Sequence, residues 1–348
     1  MKLTRAMLDE AVSEGLLANE QAARLWNFLL AHEQDTPAFK PAHILYYLGG
    51  LIAIGAMSLF MNVGWEQFGD SGLFFISLCY MAAAIGGVEW MLARRLVLPA
   101  GLLAALAVVL VPLAVYGLQH MLGYWAEGRH PAYRDFHQYI DWRWIFMELA
   151  TLAAGAVALW RYRLPFTVMP VAVTLWYMSM DIVPMLLGGD TYSFFSREGK
   201  IISTVFGLAM TLVALWIDLR TRSTKDYAFW LYLWGVLAFW GGLSSMDSGS
   251  EFGKLVYCLI NVLMIGIGAA LSRRVFAVFG GLGIAGYLGH LSYSVFRDSL
   301  MFPVALTAIG IGVIAAGIFW QRREAAIGAS LRGVLPEPLR LLVERRAA

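Results

Sequence analysis

The sequence predicts an all-α integral membrane protein, and three observations support this fold class. Hydrophobic residues make up 59% of the 348 residues and charged residues only 14%, so a soluble fold of this size would lack polar surface. Apolar stretches long enough to cross the hydrocarbon core of a bilayer recur along the chain. Five of these stretches end in a pair of basic residues, whereas the loops between the pairs contain few Lys or Arg. The pairs are Arg94 and Arg95, Arg161 and Arg163, Arg220 and Arg222, Arg273 and Arg274, and Arg322 and Arg323.

About ten transmembrane helices are predicted at roughly 20 residues per span. Cytoplasmic loops concentrate Lys and Arg, so the basic pairs and both termini are predicted to be cytoplasmic. The chain then divides into a cytoplasmic helical segment at 1–41, a ten-span transmembrane domain at 42–320 and a basic cytoplasmic tail at 321–348. The predicted spans are 42–62, 71–92, 98–121, 143–160, 164–187, 199–218, 227–246, 253–271, 273–292 and 299–320.

The N-terminal segment is amphipathic and mixed in charge, so it is not expected to be a secretory signal. Thr4 is a suitable cap for a helix that ends near Gly15, and Asn19 for a second helix that ends near His32. The apolar face of the second helix is small, so docking on the membrane domain or on a partner protein is expected. That face contains Ala22, Leu25, Leu29 and Leu30.

The internal organisation of the ten spans has two alternatives. The basic pairs recur at intervals of one helical hairpin, so a hairpin repeated five times describes them, but any helix that leaves a membrane on the cytoplasmic side tends to end in Trp and then Arg, and this convergence is the favoured explanation. Ten spans also divide into two halves of five, of which the second would be inverted relative to the first, as in many secondary transporters. Either arrangement permits transport without requiring it.

Glycines predict close packing of the later helices. Gly280, Gly283, Gly286 and Gly289 recur every three residues in the ninth span, so another helix can approach this stripe. The same segment contains the spelling GxGxxG, but it follows a basic turn instead of a strand and lies inside an apolar helix. Helix packing is therefore favoured over nucleotide binding.

Polar side chains in the outer half of the spans form the candidate site. Each of them costs free energy in a bilayer, and two arrangements would lower that cost. The side chains could line a water-accessible cavity, or they could lie at the headgroup level, where they are hydrated or paired locally. In the cavity hypothesis, Asp181 and Glu148 are proton or cation sites, and His120 and His290 are titratable partners. Other candidate members are Asn261, Arg297 and Asp298.

Three further features bear on this cavity. Pro170 and Pro184 predict broken helical geometry beside Asp181. The loops 122–142 and 188–198 are candidates for a lid or rim. Nearer the inner face, Glu89 and Asp218 are each expected to pair with the arginines at the end of their own helix.

Several function classes are not supported by the sequence. No HExxH, GxSxG or Walker motif is present, so enzyme activity is not favoured. Neither a cofactor nor a metal site is predicted, because no ligand set has a diagnostic spacing. The net charge is only +2, and the basic residues are spread over separate predicted cytoplasmic segments. No single basic patch therefore indicates nucleic acid as a partner.

The two ends of the chain resemble a family of uncharacterised bacterial predicted multi-pass membrane proteins with a short N-terminal cytoplasmic helical segment. The resemblance lies in LDEAVSEGLLANEQAARLWNFL at 8–29 and RRVFAVFGGLGIAGYLGHLSYSVFRDSLMFPVAL at 273–306. It implies the topology and a bacterial inner membrane, and no activity. Ten spans with both ends inside also resemble the drug and metabolite exporters, in topology alone.

Two functions are compatible with these features. The first is a transporter or binder of a small solute or lipid-like molecule through an outward-opening cavity. The second is a non-transporting sensor, scaffold or assembly partner that binds a cytoplasmic protein through its N-terminal helices. The lipid bilayer is the expected surrounding in both cases.

Overall fold

The computed structural model of this protein consists mainly of helices. It describes residues 5–33, 41–124, 143–187, 196–221, 225–246 and 249–296, together with five helical positions between 304 and 315. No strand occurs within these ranges, so the all-α prediction is confirmed for them. The helices are α1 (Arg5–Ser13), α2 (Asn19–Glu33), α3 (Pro41–Ala93), α4 (Val97–Val109), α5 (Val111–Met121), α6 (Trp144–Tyr162), α7 (Val168–Leu187), α8 (Arg197–Arg220), α9 (Ala228–Ser245), α10 (Glu251–Ala270) and α11 (Arg274–Phe296).

Six of the described helices are long and apolar enough to cross a membrane, which indicates an integral membrane protein. Each agrees with a predicted span to within a few residues, because hydropathy and length alone define such a segment. The six are Ser71–Ala93, Val97–Met121, Trp144–Tyr162, Arg197–Arg220, Ala228–Ser245 and Phe252–Ala270.

The other four predicted spans are described to different extents. α3 is bent at Gly69, whose φ of 63° separates the predicted span 42–62 from the next one. α7 and α11 cover the predicted spans 164–187 and 273–292. Most of the predicted span 299–320 lies outside the described residues.

The N-terminal segment forms two helices, as the sequence predicts, and they pack as a helical hairpin; the predicted cap Thr4 lies outside the described residues. Gly15 has a φ of 73° after the end of α1, and Leu8 on α1 and Ala22 on α2 are buried. The predicted cap is displaced by one position, because Asn19 is already the first residue of α2. The residue before it, Ala18, donates its backbone N–H to Gln21 Oε1 at 3.1 Å.

The tightest helix contact lies between α8 and α9 and depends on small residues. A Cβ at Gly207 would overlap the backbone nitrogen of Phe239 and lie 2.6 Å from the carbonyl oxygen of Gly235. A Cβ at Gly242 would lie 2.7 Å from the carbonyl oxygen of Lys200. The two backbones are therefore in van der Waals contact over three turns, which is the packing that small residues permit in membranes.

The predicted glycine stripe of α11 is used in part. A Cβ at Gly280 would lie 2.6 Å from the carbonyl oxygen of Asn261, and one at Gly283 would overlap the Asn261 amide. These two glycines therefore pack against α10, as predicted. No described residue lies within 4 Å of the Cβ position at Gly286 or Gly289.

The described arginines of four basic pairs lie at one end of the bundle, here called the basic end. Arg161 forms an ion pair of 3.1 Å with Glu89, which joins the ends of α6 and α3. The carbonyl oxygen of Arg163 accepts a hydrogen bond of 2.7 Å from the Tyr227 hydroxyl, just before α9. Burial raises the pKa of Tyr227, although the nearby Arg163 opposes this shift, so the hydroxyl remains a donor at neutral pH. Arg273 at the turn before α11 completes the set through the same α8–α9 connection.

Exposed tryptophans at the basic end stack against arginines. The guanidinium carbon of Arg94 lies 3.9 Å from the centroid of a Trp90 ring, and that of Arg220 lies 4.6 Å from Trp216. Both tryptophans are about half exposed. An exposed aromatic ring beside a cation is the arrangement expected at a headgroup boundary.

Candidate functional site

Two acidic side chains face each other between α6 and α7, at the end of the bundle opposite the basic end. Glu148 lies one turn after the start of α6, and Asp181 lies in the last two turns of α7. Their carboxyl groups are close enough to interact with each other. Both residues are buried, with exposed fractions of 6% and 7%. We call Glu148 and Asp181 the carboxyl pair; both belong to the larger set of residues that the sequence analysis assigns to one cavity.

The carboxyl pair has no compensating donor in the described part of the chain. Both Glu148 carboxyl oxygens and Asp181 Oδ2 are buried without a hydrogen-bond partner among the described residues. Two carboxylates in contact within a medium of low dielectric constant cannot both remain charged, so they must share a proton or bind a cation. This is the chemistry that the geometry of the site permits.

α7 holds Asp181 without a break in the helix. Pro170 is its third residue, where the missing N–H costs no internal hydrogen bond, and the backbone continues as helix through Pro184. The predicted broken geometry is therefore absent from α7. Asp181 is positioned by an ordinary helix packed on α6.

His120 lies near this end of the bundle, at the end of α5. Its ring packs on Tyr116 with centroids 4.4 Å apart. The neighbouring Gln119 donates from Nε2 to the carbonyl oxygen of Arg143 at 3.1 Å, which fixes the end of α5 beside the start of α6. His120 is thus placed on the helix next to the one that carries Glu148.

The other predicted members of the cavity are elsewhere or outside the described residues. Asn261 is fully buried in the contact between α10 and α11, where Nδ2 donates to the carbonyl oxygen of Tyr257 at 2.8 Å. His290 is exposed on α11. Arg297 and Asp298 lie outside the described residues, as do most of the predicted loops 122–142 and 188–198. The structure therefore brings together the carboxyl pair and does not join Asn261 or His290 to it.

A cavity of about 240 Å³ lies between α7, α8 and α9, also at the end away from the basic end, and we call it the tryptophan pocket. Its walls contain two stacked indoles, Trp176 and Trp234, with ring centroids 6.3 Å apart. Ser245 is exposed at its edge, so the pocket reaches the surface there. The lining also includes Lys200, Ser203 and Gly242.

Sequence reasoning missed the tryptophan pocket. Its polar members lie on three helices, and no local spacing links Lys200 to Trp176 or Trp234. One available signal was the small-residue series Ser203, Gly207 and Thr211 on α8, because a helix with such a face approaches its neighbour closely.

A second buried charge cluster lies at the basic end and corrects the expected partners of two acidic residues. Arg273 pairs with Asp218 at 2.9 Å and donates to Asp226 Oδ1 at 3.0 Å. Asp218 was expected to pair with the arginines of its own helix, but Arg220 is only two residues away and therefore points to another face. Glu89 likewise pairs with Arg161 of another helix. Since every charge in this cluster is compensated, it is a structural contact rather than a candidate site.

Comparison of the chain with protein-family models, with curated proteins and with solved structures finds no match.

Proposed function

We propose that this protein is a ten-span bacterial inner-membrane protein, with both ends in the cytoplasm, that moves or binds a small solute or lipid-like molecule. The observation that carries the proposal is the carboxyl pair. An acidic side chain at mid-helix costs about 2.5–3.5 kcal/mol on insertion scales, and two in contact without a donor cost more. Uncompensated acids inside membrane helices are typically proton or ion sites.

The carboxyl pair has the properties of a coupling site. When one proton is shared, or one cation is bound, the pair carries less charge and its burial becomes less costly. Release of that proton or cation requires access to water, which couples occupancy of the site to opening of the surrounding helices. Glu148 and Asp181 are candidates for this role, with His120 on the adjacent helix as a candidate proton-transfer partner.

The test begins with a phenotype screen of a deletion strain across solutes, which supplies the substrate. Uptake of that solute is then measured in proteoliposomes under an imposed proton or sodium gradient. Wild-type protein should show gradient-driven uptake, and Glu148→Gln and Asp181→Asn should abolish the dependence on the gradient. Full gradient dependence in folded Asp181→Asn protein would remove the carboxyl pair from the mechanism.

A membrane scaffold or sensor is the second candidate, favoured by the surface of the N-terminal hairpin. Leu16, Leu25 and Phe28 are exposed on it, by 72%, 37% and 57% respectively. Apolar side chains grouped on a small hairpin are suited to a partner protein. The double variant Leu25→Ser/Phe28→Ser separates the two functions. A phenotype lost in this variant while solute uptake persists would favour the scaffold.

A further inference from the structure

We infer that the tryptophan pocket binds a small organic monocarboxylate with an aromatic or branched apolar body. The pocket would then be the solute site of the proposed function, and in that respect the inference rests on it. Some polar groups of the pocket already have hydrogen-bond partners, and others do not.

The Ser203 hydroxyl already donates its hydrogen within the protein. It donates to the carbonyl oxygen of Ala238 at 3.0 Å and accepts from Trp176 Nε1 at 3.2 Å. The Trp176 indole N–H is therefore also used. Neither group is left to donate to a ligand.

Two donors in the pocket remain. Trp234 Nε1 is buried and has no hydrogen-bond partner among the described residues. Lys200 forms no ion pair with any carboxylate of the described chain. A buried indole N–H without an acceptor is costly, so a ligand oxygen would stabilise it once the side chains that cover it move aside.

The rest of the lining defines the ligand. The described lining of the cavity contains no acidic side chain, whereas Lys200 supplies a positive charge, so an anion is favoured over a cation. Two donors match the two oxygens of one carboxylate, while a phosphate dianion calls for more positive charge. The stacked indoles and Leu237 provide an apolar wall for a ring or a branched chain.

The test uses the full-length protein in nanodiscs of phosphatidylcholine, so that anionic lipids do not compete for the site. Calorimetry measures binding of benzoate, benzyl alcohol and benzylamine, which share a ring and differ in charge. Benzoate should bind at least about tenfold more tightly than either of the others, since a charged hydrogen bond contributes roughly this factor. Equal binding of the alcohol and the acid would overturn the inference.

Matched variants locate the site. Trp234→Phe keeps a ring and removes the N–H, and Lys200→Met keeps the length and removes the charge; each should weaken benzoate binding about tenfold. Trp216→Phe and Lys225→Met change the same residue types at the basic end and should leave binding unchanged. If Trp234→Phe fails to fold, Lys200→Met with its control decides. Unchanged affinity in the folded pocket variants would place benzoate elsewhere.

Equilibrium binding separates this inference from the proposed function, because it needs no gradient. Pocket-dependent benzoate binding without any gradient-driven uptake would leave the pocket standing and count against transport. Absence of benzoate binding, in a protein that still takes up another solute in an Asp181-dependent way, would overturn the inference alone.

Discussion

Arg273 at the α10–α11 turn lies 2.9 Å from Asp218 near the end of α8, and 55 residues separate the two partners. Both side chains are over nine-tenths buried. The guanidinium also packs over the Tyr232 ring, with its carbon 4.8 Å from the ring centroid. Three helices are therefore joined at the basic end by one cation.

Replacement of Arg273 by Met should destabilise the protein strongly. The change leaves Asp218 buried and uncompensated, which costs about 3–5 kcal/mol when one partner of a buried pair is removed. Denaturant unfolding in detergent measures the loss. Arg274→Met is the control, because the adjacent side chain is exposed, and it should change stability by less than about 0.5 kcal/mol. Equal losses of stability in the two variants would contradict a stabilising buried ion pair between Arg273 and Asp218.

The exposed ion pair between Arg161 and Glu89 should contribute much less than the buried one. Its side chains are 57% and 47% exposed, so water and salt screen the interaction. We expect Glu89→Gln to cost under about 1 kcal/mol, and the cost to decrease as salt is added. Unfolding midpoints at low and high ionic strength test this. A cost as large as that of Arg273→Met would show that the pair is effectively buried.

Gly207→Ala should disrupt the contact between α8 and α9. The new methyl group would meet the backbone of Phe239 and Gly235, neither of which is a flexible side chain, so a cost of about 1–3 kcal/mol is expected. Gly266→Ala on α10 is the matched change, because no described residue lies within 4 Å of its Cβ position. That variant should be neutral or more stable by up to about 1 kcal/mol. Thermal unfolding compares the stability of the two variants. If Gly266→Ala is destabilised and Gly207→Ala is not, the close packing of α8 and α9 at Gly207 is contradicted.

Glu148→Gln and Asp218→Asn should change the stability of the protein in opposite directions, although both convert a buried acid into an amide. Glu148 faces another acid and has no donor in the part of the chain that the structure describes, so the amide relieves repulsion and should leave stability unchanged or raise it by about 1 kcal/mol. Asp218 has a cation as its partner, and its amide should lower stability by at least about 1 kcal/mol. Unfolding of both variants at one pH provides the comparison. A large loss in Glu148→Gln would mean that the carboxyl pair is a structural contact.

Reporter fusions should place the basic end in the cytoplasm. Fusions after Arg163, Arg220 and Arg274 are expected to give a cytoplasmic signal, because Lys and Arg near the ends of spans are retained on that side. A fusion after Ser245 should give a periplasmic signal. Periplasmic signals from the basic positions would invert the proposed topology and make the tryptophan pocket open inward.

The sequence predicts some features of this protein and not others, according to whether the feature depends on local properties of the chain. Span positions and the N-terminal hairpin follow from hydropathy, length and capping residues, all of which are local properties. The sequence groups Glu148 and Asp181 in one outer cavity because both acids lie in the outer half of consecutive helices, but only the packing of α6 on α7 brings their carboxyl groups near each other. The partner of Asp218 was not anticipated, since helix rotation decides which neighbour a side chain meets.

The sequence by itself determined that this is a helical membrane protein, where most of its spans lie and which helix ends carry positive charge, because the bilayer acts on each segment separately. Only the tertiary structure decided which helices are neighbours and how each is rotated. It thereby left the carboxyl pair without a donor among the described residues, enclosed Arg273 between two acids and opened the tryptophan pocket beside Lys200. These outcomes depend on the shapes of packed helix faces, where a single glycine sets how closely two backbones approach.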